Sequence, residues 1–331
     1  MGAPGRFAAP VASPSSPQST ATGVTDDDST HQSDVLPLAL VGIVRAMMRQ
    51  EEDVYAYHRY RPDGCQTTAI REKWRQDICH WTYSVVDHFD LSRETVAISL
   101  SLFDRYCATL GNQCDGSIAL LTSLTTLSVA VKINETKSIH LRTLADLSRK
   151  QFTAKDIERF ELKLLKEMSW RVNPPTSVAF VHQLLKFVSH AHPTIRRDMF
   201  ELSRYLCELS LSDAFFCDRK PSSVAYAAIL NVFDFMAKSH HISSHVSKRF
   251  IDDVECLLRL DHRAVDVIEA RSRMQQMFAS SLELYARDGS LLSTSDVVME
   301  CCESLCSKGS TEKSVNSGIN HTTQAPPQRV Q

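Results

Sequence analysis

Glycine is scarce in this chain of 331 residues: there are 10, none between Gly116 and Gly289, and proline is absent from Gln66 to Asn173. A stretch with neither breaker favours helices and leaves too few turn residues for a strand-rich architecture. The shortage also removes a class of function. Loops that cradle phosphate need glycine where backbone must approach the ligand closely, so a nucleotide-binding enzyme is not expected. An excess of either charge is missing too, the formal net charge being −2, and nucleic-acid binding gains no support from composition. The opening MGAPGRFAAP lacks the apolar segment of a secretion signal, and Arg6 stands where a myristoylation signal needs Ser or Thr. No apolar run approaches the length of a membrane span, so no membrane partner is expected. With 10 scattered cysteines, these features describe an intracellular, reduced protein without structural disulfides.

Catalytic patterns are missing as well. The chain has no Gly-x-Ser-x-Gly, no His-Glu-x-x-His and no pair of carboxylates in an evident cleft. Cys301, Cys302 and Cys306 have no histidine at metal-ligand spacing, and His240, His241 and His245 fall in HHISSH, read as a solvated loop. No active site, metal or cofactor is therefore assigned.

What is present is helix after helix. Residues 1–34 are mostly Ser, Thr, Pro and Asp with almost nothing to bury, and residues 286–331 are largely of the same kind, so both read as disordered tails. Ser13-Pro14 and Ser16-Pro17 in the first tail are either proline-directed phosphorylation sites or plain flexible linker. An amphipathic helix and linker follow over 35–60, with Pro37 at the helix start. LSRETVAISLSLFDRYCA sets Val96, Leu100, Phe103 and Cys107 on one face behind Ser92 as N-cap. SIALLTSLTTLSVAVK is apolar on nearly every side, which places it in the middle of a bundle. TAKDIERFELKLLKEMSW starts near Thr153 and repeats Ile157, Phe160, Leu164 and Met168 at helical steps. The paired prolines of RVNPPT then break the chain. An all-α fold of two domains is expected around that break, over 66–173 and 174–285. The second half echoes the first, since Ser117 and Ser223 each open an apolar helix.

Charges embedded in this apolar pattern need partners. Arg75 lies among Trp74, Ile78 and Trp81, and Asp104 lies between Leu102 and Tyr106. A guanidinium and a carboxylate so placed are costly unless they meet, which predicts a mutual bidentate pair. Lys132 and Glu161 sit instead at the edges of apolar faces. Lys132 either complements the dipole at the end of its helix or offers its ammonium to another molecule; Glu161 is either a solvated helix glutamate or part of the same offer.

The run from WRQDICHWTYSVVDHFDLSRETVAISLSLFDRY through IALLTSLTTLSVAVK to FTAKDIERFELKLLKEMSWRVNPPT resembles the cyclin box, and the likeness spans roughly residues 36–285 with a weaker second box. Arg75, Asp104, Leu121, Lys132 and Glu161 fill the family's five signature positions in order and spacing. The resemblance implies two stacked five-helix bundles and a non-catalytic regulatory subunit that forms a heterodimer with a cyclin-dependent kinase in the nucleus or cytoplasm. It assigns Lys132 and Glu161 to the backbone around the kinase C-helix, with Val129, Ile133, Leu165 and Trp170 as the apolar surface that receives the helix. A substrate-docking patch would comprise Trp74, Ile78 and Trp81 with Ala119 and Leu120, although Asp77 places a charge within it and His80 stands where an acidic residue is common. The opening VRAMMRQEED is most similar to G1-class, D-type cyclins. No Arg-x-x-Leu in the first tail, no Lys-Glu-Asn and no Leu-x-Cys-x-Glu was found. A transcription-regulating protein of the same fold, of the TFIIB type or a transcriptional cyclin, is the alternative; a TFIIB-type factor would call for an N-terminal zinc ribbon and basic DNA-facing surfaces.

Overall fold

The computed structural model describes residues 32–55, 66–188, 192–238 and 241–288, and among these it is helical throughout, without a strand. Helix α1 (Gln32–Arg49) runs into a π-turn (Gln50–Val54). Five helices follow: α2 (Gln66–His88), α3 (Glu94–Leu110), α4 (Gly116–Asn134), α5 (Leu141–Leu147) and α6 (Ala154–Glu167). After the Pro174-Pro175 break come α7 (Ser177–Leu184), α8 (Pro193–Leu211), α9 (Pro221–Lys238), α10 (Ser244–Leu258) and α11 (Val265–Asp288). The expected pair of five-helix bundles is therefore α2–α6 and α7–α11.

Each bundle is organised around one helix without a polar face. In α4 the run from Thr122 to Val131 is buried throughout, and in α9 the run from Pro221 to Phe233. Four of the hydroxyls in α4 make no demand on the core, because Thr122, Ser123, Thr125 and Thr126 donate to carbonyls three or four residues earlier in the same helix, whereas the Ser128 hydroxyl is buried without a partner. This corrects one expectation. α4 is long and apolar enough to cross a membrane by length and composition, the backbone-bonded Ser and Thr having concealed that in the sequence. Its surroundings are the bundle: Leu124 and Leu127 pack with Cys79, Val86, Leu100, Leu144 and Ile157.

Boundaries shift at several ends. α1 starts at Gln32, so residues 32–34 are helical and Pro37 is the sixth residue of the helix and not its start, a position where the missing N–H removes one bond of the ladder, to the Ser33 carbonyl. α11 continues to Asp288, past the expected end at 285. Ser92 does not cap α3 directly, since the helix begins at Glu94 with Arg93 preceding it; the Ser92 hydroxyl accepts instead from the Glu94 N–H at 3.3 Å. His245 lies in the first turn of α10, not in a loop, and is exposed, while His241 is half-buried. His240, Ser13, Ser16, the three C-terminal cysteines and the remainder of both tails fall outside the described residues.

Arginines of the first bundle reach α8 of the second and lock the two together. Arg75 donates from Nε and Nη2 to Asp104 at 2.9 and 3.0 Å, the predicted fork, and its Nη1 reaches the Leu211 carbonyl at the end of α8 at 2.6 Å. Beside it Arg93 bridges Asp87 at 2.8 Å and Glu208 at 3.2 Å. The N-terminal helix belongs to the core of the second bundle, not the first: Leu40, Val41 and Val44 pack among Phe180, Leu184 and Phe250. Glu51 then caps α9. Its carboxylate accepts from the Ser222 N–H at 3.0 Å and from the Ser222 hydroxyl, while Glu52 pairs with Lys220 at 2.6 Å.

Arg75→Ala would leave the half-buried Asp104 carboxylate without its cation, and should lower the free energy of unfolding by about 3 kcal/mol in urea titration; an unchanged midpoint would contradict the lock. Glu51 predicts a pH dependence. Burial pushes its carboxyl up from 4.5 to about 7, against the pull of Ser222 and Lys220. Its contribution to stability is complete below 4.5 and is lost as pH rises through 7, because the unfolded carboxyl ionises more readily than the folded one. Glu51→Gln should flatten that slope in pH-resolved unfolding, and an unaltered slope would place its source elsewhere.

Candidate functional site

The ends of α4 and α6 meet on one face of the first bundle. α4 is started by Asp115, whose carboxylate accepts from the Ile118 N–H at 2.8 Å, and its last turn carries Lys132. That last turn is held from outside: Asn134 donates to Thr95 at 2.9 Å, and Glu135 accepts from the Ser92 N–H at 2.9 Å. α6 opens on a capping box in which Thr153 and Asp156 serve each other's backbone N–H, and the Thr153 hydroxyl, donating to the Asp156 carboxyl at 2.7 Å, holds it below its usual range together with the Thr153 N–H. Ile157, Leu164 and Met168 then bury the inner face of α6, the last two around Tyr106, whose ring meets Phe160 edge-on at 5.4 Å. Glu161 lies between these anchors along the helix.

The result is an ion pair across the seam. Lys132 Nζ donates to both carboxylate oxygens of Glu161 at 2.6 Å, with the lysine side chain 50% exposed and the glutamate 16%. A pair this open contributes little to folding, up to about 1 kcal/mol, since water screens it and the lysine stem loses freedom to make it. It is also cheap to open. Both members keep lone pairs or protons for a third group, and both are mounted on helices that packing and caps hold still.

Apolar groups flank the pair. Ile133, next to Lys132, is 41% exposed, and Trp170, just past the end of α6, is 64% exposed. Leu165 is half-buried against the small core of Ile98, Leu102 and Ala130. Val129 departs from expectation: it is 3% exposed and lies within that same core, so it supports the surface from beneath and offers none of it. A helix apolar on every side gives no periodicity from which to tell the outward residue. Leu162 was missed and is 49% exposed. Its signal was present, because it falls off the steps of Ile157, Phe160, Leu164 and Met168 and so lies on the otherwise polar side of α6.

Trp170 is held outward by its backbone. Ser169 and Trp170 both have positive φ, 51° and 62°, in the left-handed region that neither residue favours. The Trp170 N–H closes the helix end on the Leu165 carbonyl at 2.9 Å, and Arg105 fixes the following turn by donating to the Arg171 carbonyl at 2.8 Å while stacking on Tyr55. Strain of this kind persists only where the surroundings impose it, and here it holds a large aromatic in solvent.

The second predicted patch is more closed. Trp74, Ile78, Trp81 and Leu120 are all half-buried and Ala119 is buried. Trp74 and Ile78 pack with Phe103, Cys114 and Ala119, and the Trp74 ring lies over the first turn of α4 at Gly116. Asp77 is exposed between them. Leu121 is half-buried against the main core of the bundle, a packing position. In the second half Glu255, Asp261 and His262 bring ligand-type atoms within 4.8 Å of one another, but they are joined by a hydrogen bond between His262 and Glu255 at a surface turn, an arrangement common without a metal.

With that geometry in place, comparison with known proteins gives a family. The profile described as cyclin, N-terminal domain, matches residues 42–173, and the one described as cyclin, C-terminal domain, matches residues 175–279. The chain belongs to the cyclin family. Cyclins are regulatory subunits and carry no catalytic groups of their own. Among relatives, Cyclin-D3-2 of Arabidopsis thaliana is 29% identical over 48% of this chain and 44% of its own length, and Cyclin-D3-3 of the same plant is 30% identical over the same shares. Cyclin-B1-1 of Oryza sativa subsp. japonica is 23% identical over 54% of this chain and 41% of its own. This cyclin thus spans about half the length of the curated relatives it matches. A crystal structure of a viral cyclin from herpesvirus saimiri superimposes with a TM-score of 0.52 at 13% identity, covering 73% of this chain and 98% of that one, a likeness of fold.

Proposed function

We propose that this cyclin binds and activates a cyclin-dependent protein kinase, as the non-catalytic half of a heterodimer in the nucleus or cytoplasm, and that it docks the kinase on the face where α4 and α6 meet. The observation that carries this reading is the Lys132–Glu161 pair, its lysine 50% exposed on a rigid rim, with Ile133 next to Lys132, Leu162 next to Glu161 and Trp170 past the end of α6 all exposed. An apolar surface with charge-assisted donors and acceptors at its centre suits an amphipathic helix laid across it.

The activation is conformational. Held inward, the kinase C-helix pairs its glutamate with the strand lysine that positions ATP phosphates, and every reacting group stays on the kinase. The cyclin works by binding that state better than the inactive one. A preference of about 4 kcal/mol shifts the active population about a thousandfold, at about 1.4 kcal/mol per tenfold. We assign it to the G1 class on the D-type relatives, which are 29% and 30% identical, against 27% for two mitotic cyclins of Medicago sativa and 23% for the B-type one.

Lys132→Ala and Glu161→Ala should each weaken kinase binding by about 2–5 kcal/mol in titration against the kinase that co-purifies with the full chain. Helicity should be unchanged. Unaltered affinity in both variants would refute the assigned face, and co-purification with no kinase at all would refute the function.

A further inference from the structure

The turn between α3 and α4 brings two thiols together. Cys107 lies in the last turns of α3 and Cys114 just before α4, and their sulfurs are 3.7 Å apart. The chain doubles back between them because Gly111 adopts a positive φ of 53° at the end of α3 and a short 3-10 turn follows over Gly111–Gln113. A disulfide needs its sulfurs at about 2.05 Å, so they must close by about 1.7 Å. The two thiols differ in access: Cys107 is half-buried and Cys114 is buried among Phe103, Ala119 and Trp74.

We infer that Cys107 and Cys114 form a peroxide-responsive thiol pair, a modification site on the first bundle. The Cys107 thiol ionises and its thiolate attacks one oxygen of hydrogen peroxide; the O–O bond breaks, and the departing hydroxide combines with the proton that the thiol released to give water, leaving a sulfenic acid on Cys107. The Cys114 sulfur then attacks the Cys107 sulfur. The S–O bond breaks, the hydroxyl leaves with the Cys114 proton as a second water, and the S–S bond closes. The pair has lost two electrons to the peroxide, and a thiol reductant reverses the step. In a reducing compartment such a bond is transient, which fits a responsive site and not a structural one.

The location gives the bond a consequence. It would staple the end of α3 to the start of α4 where the Trp74 ring lies over Gly116, beside Ile78 and Ala119. Oxidation there tightens the half-buried patch on α2 and α4 and leaves the Lys132–Glu161 rim, at the other end of α4, untouched.

The test is a digest of the reduced full chain after graded hydrogen peroxide and alkylation by iodoacetamide. Trypsin releases Tyr106–Lys132 as one peptide with Cys107 and Cys114 as its only cysteines. The expected product is that peptide without alkyl groups and lighter by two hydrogens, recovering both alkylation sites after dithiothreitol. In Cys114→Ser the same dose should leave a sulfenic acid on Cys107 that a dimedone probe traps; if that variant does not fold, the wild-type digest decides alone. The inference is overturned if both sulfurs remain alkylatable at a dose that oxidises exposed Cys256, or if Cys107 is recovered joined to any sulfur other than that of Cys114.

Discussion

The Arg75 guanidinium is the point on which the two halves of this molecule turn. Two of its nitrogens satisfy Asp104 on α3 and the third reaches the Leu211 carbonyl at the end of α8, so one side chain joins two helices of the first bundle to the second. Buried ion pairs seldom stabilise a fold beyond what apolar residues would contribute, but they are intolerant of a missing partner and of a misplaced one. Here that intolerance fixes the orientation of α2 against α3 and of the first bundle against α8. Glu51, just past the N-terminal helix, caps α9 and ties that helix to the second bundle.

The Lys132–Glu161 pair has the opposite character. It lies on the surface, stabilises the fold little and leaves both groups open to solvent on one side. The molecule therefore uses charge in two ways: a closed fork for internal geometry, and an open pair presented to a partner. The strained Ser169–Trp170 turn belongs with the second use, since it holds an aromatic outward where a folding argument alone would bury it.

Much of this was legible in the sequence. The dearth of glycine and proline, with apolar residues at three- and four-residue steps, was enough for an all-α fold broken at Pro174-Pro175. The Arg75–Asp104 fork followed from the cost of unpaired buried charge. Other features leave no mark in one dimension. The Leu211 carbonyl that completes the fork is a backbone acceptor, and every residue has one. That α1 packs in the second bundle, across the whole of the first, could not be read from its amphipathic pattern, which says that a face is buried but not against what. Val129 was misplaced because α4 is apolar on all sides, whereas Leu162 was overlooked although its position off the apolar steps of α6 made it visible.

The most direct test of the central claim exchanges the two charges of the rim. Lys132→Glu combined with Glu161→Lys keeps an ion pair across the α4–α6 seam, so any purely internal role survives, while the donor and acceptor offered to a partner trade places. The affinity of this double variant for the cognate cyclin-dependent kinase should fall as far as that of either alanine variant, with the unfolding midpoint unchanged. Wild-type affinity in the exchanged protein would show that the pair serves its own bundle and not a foreign helix.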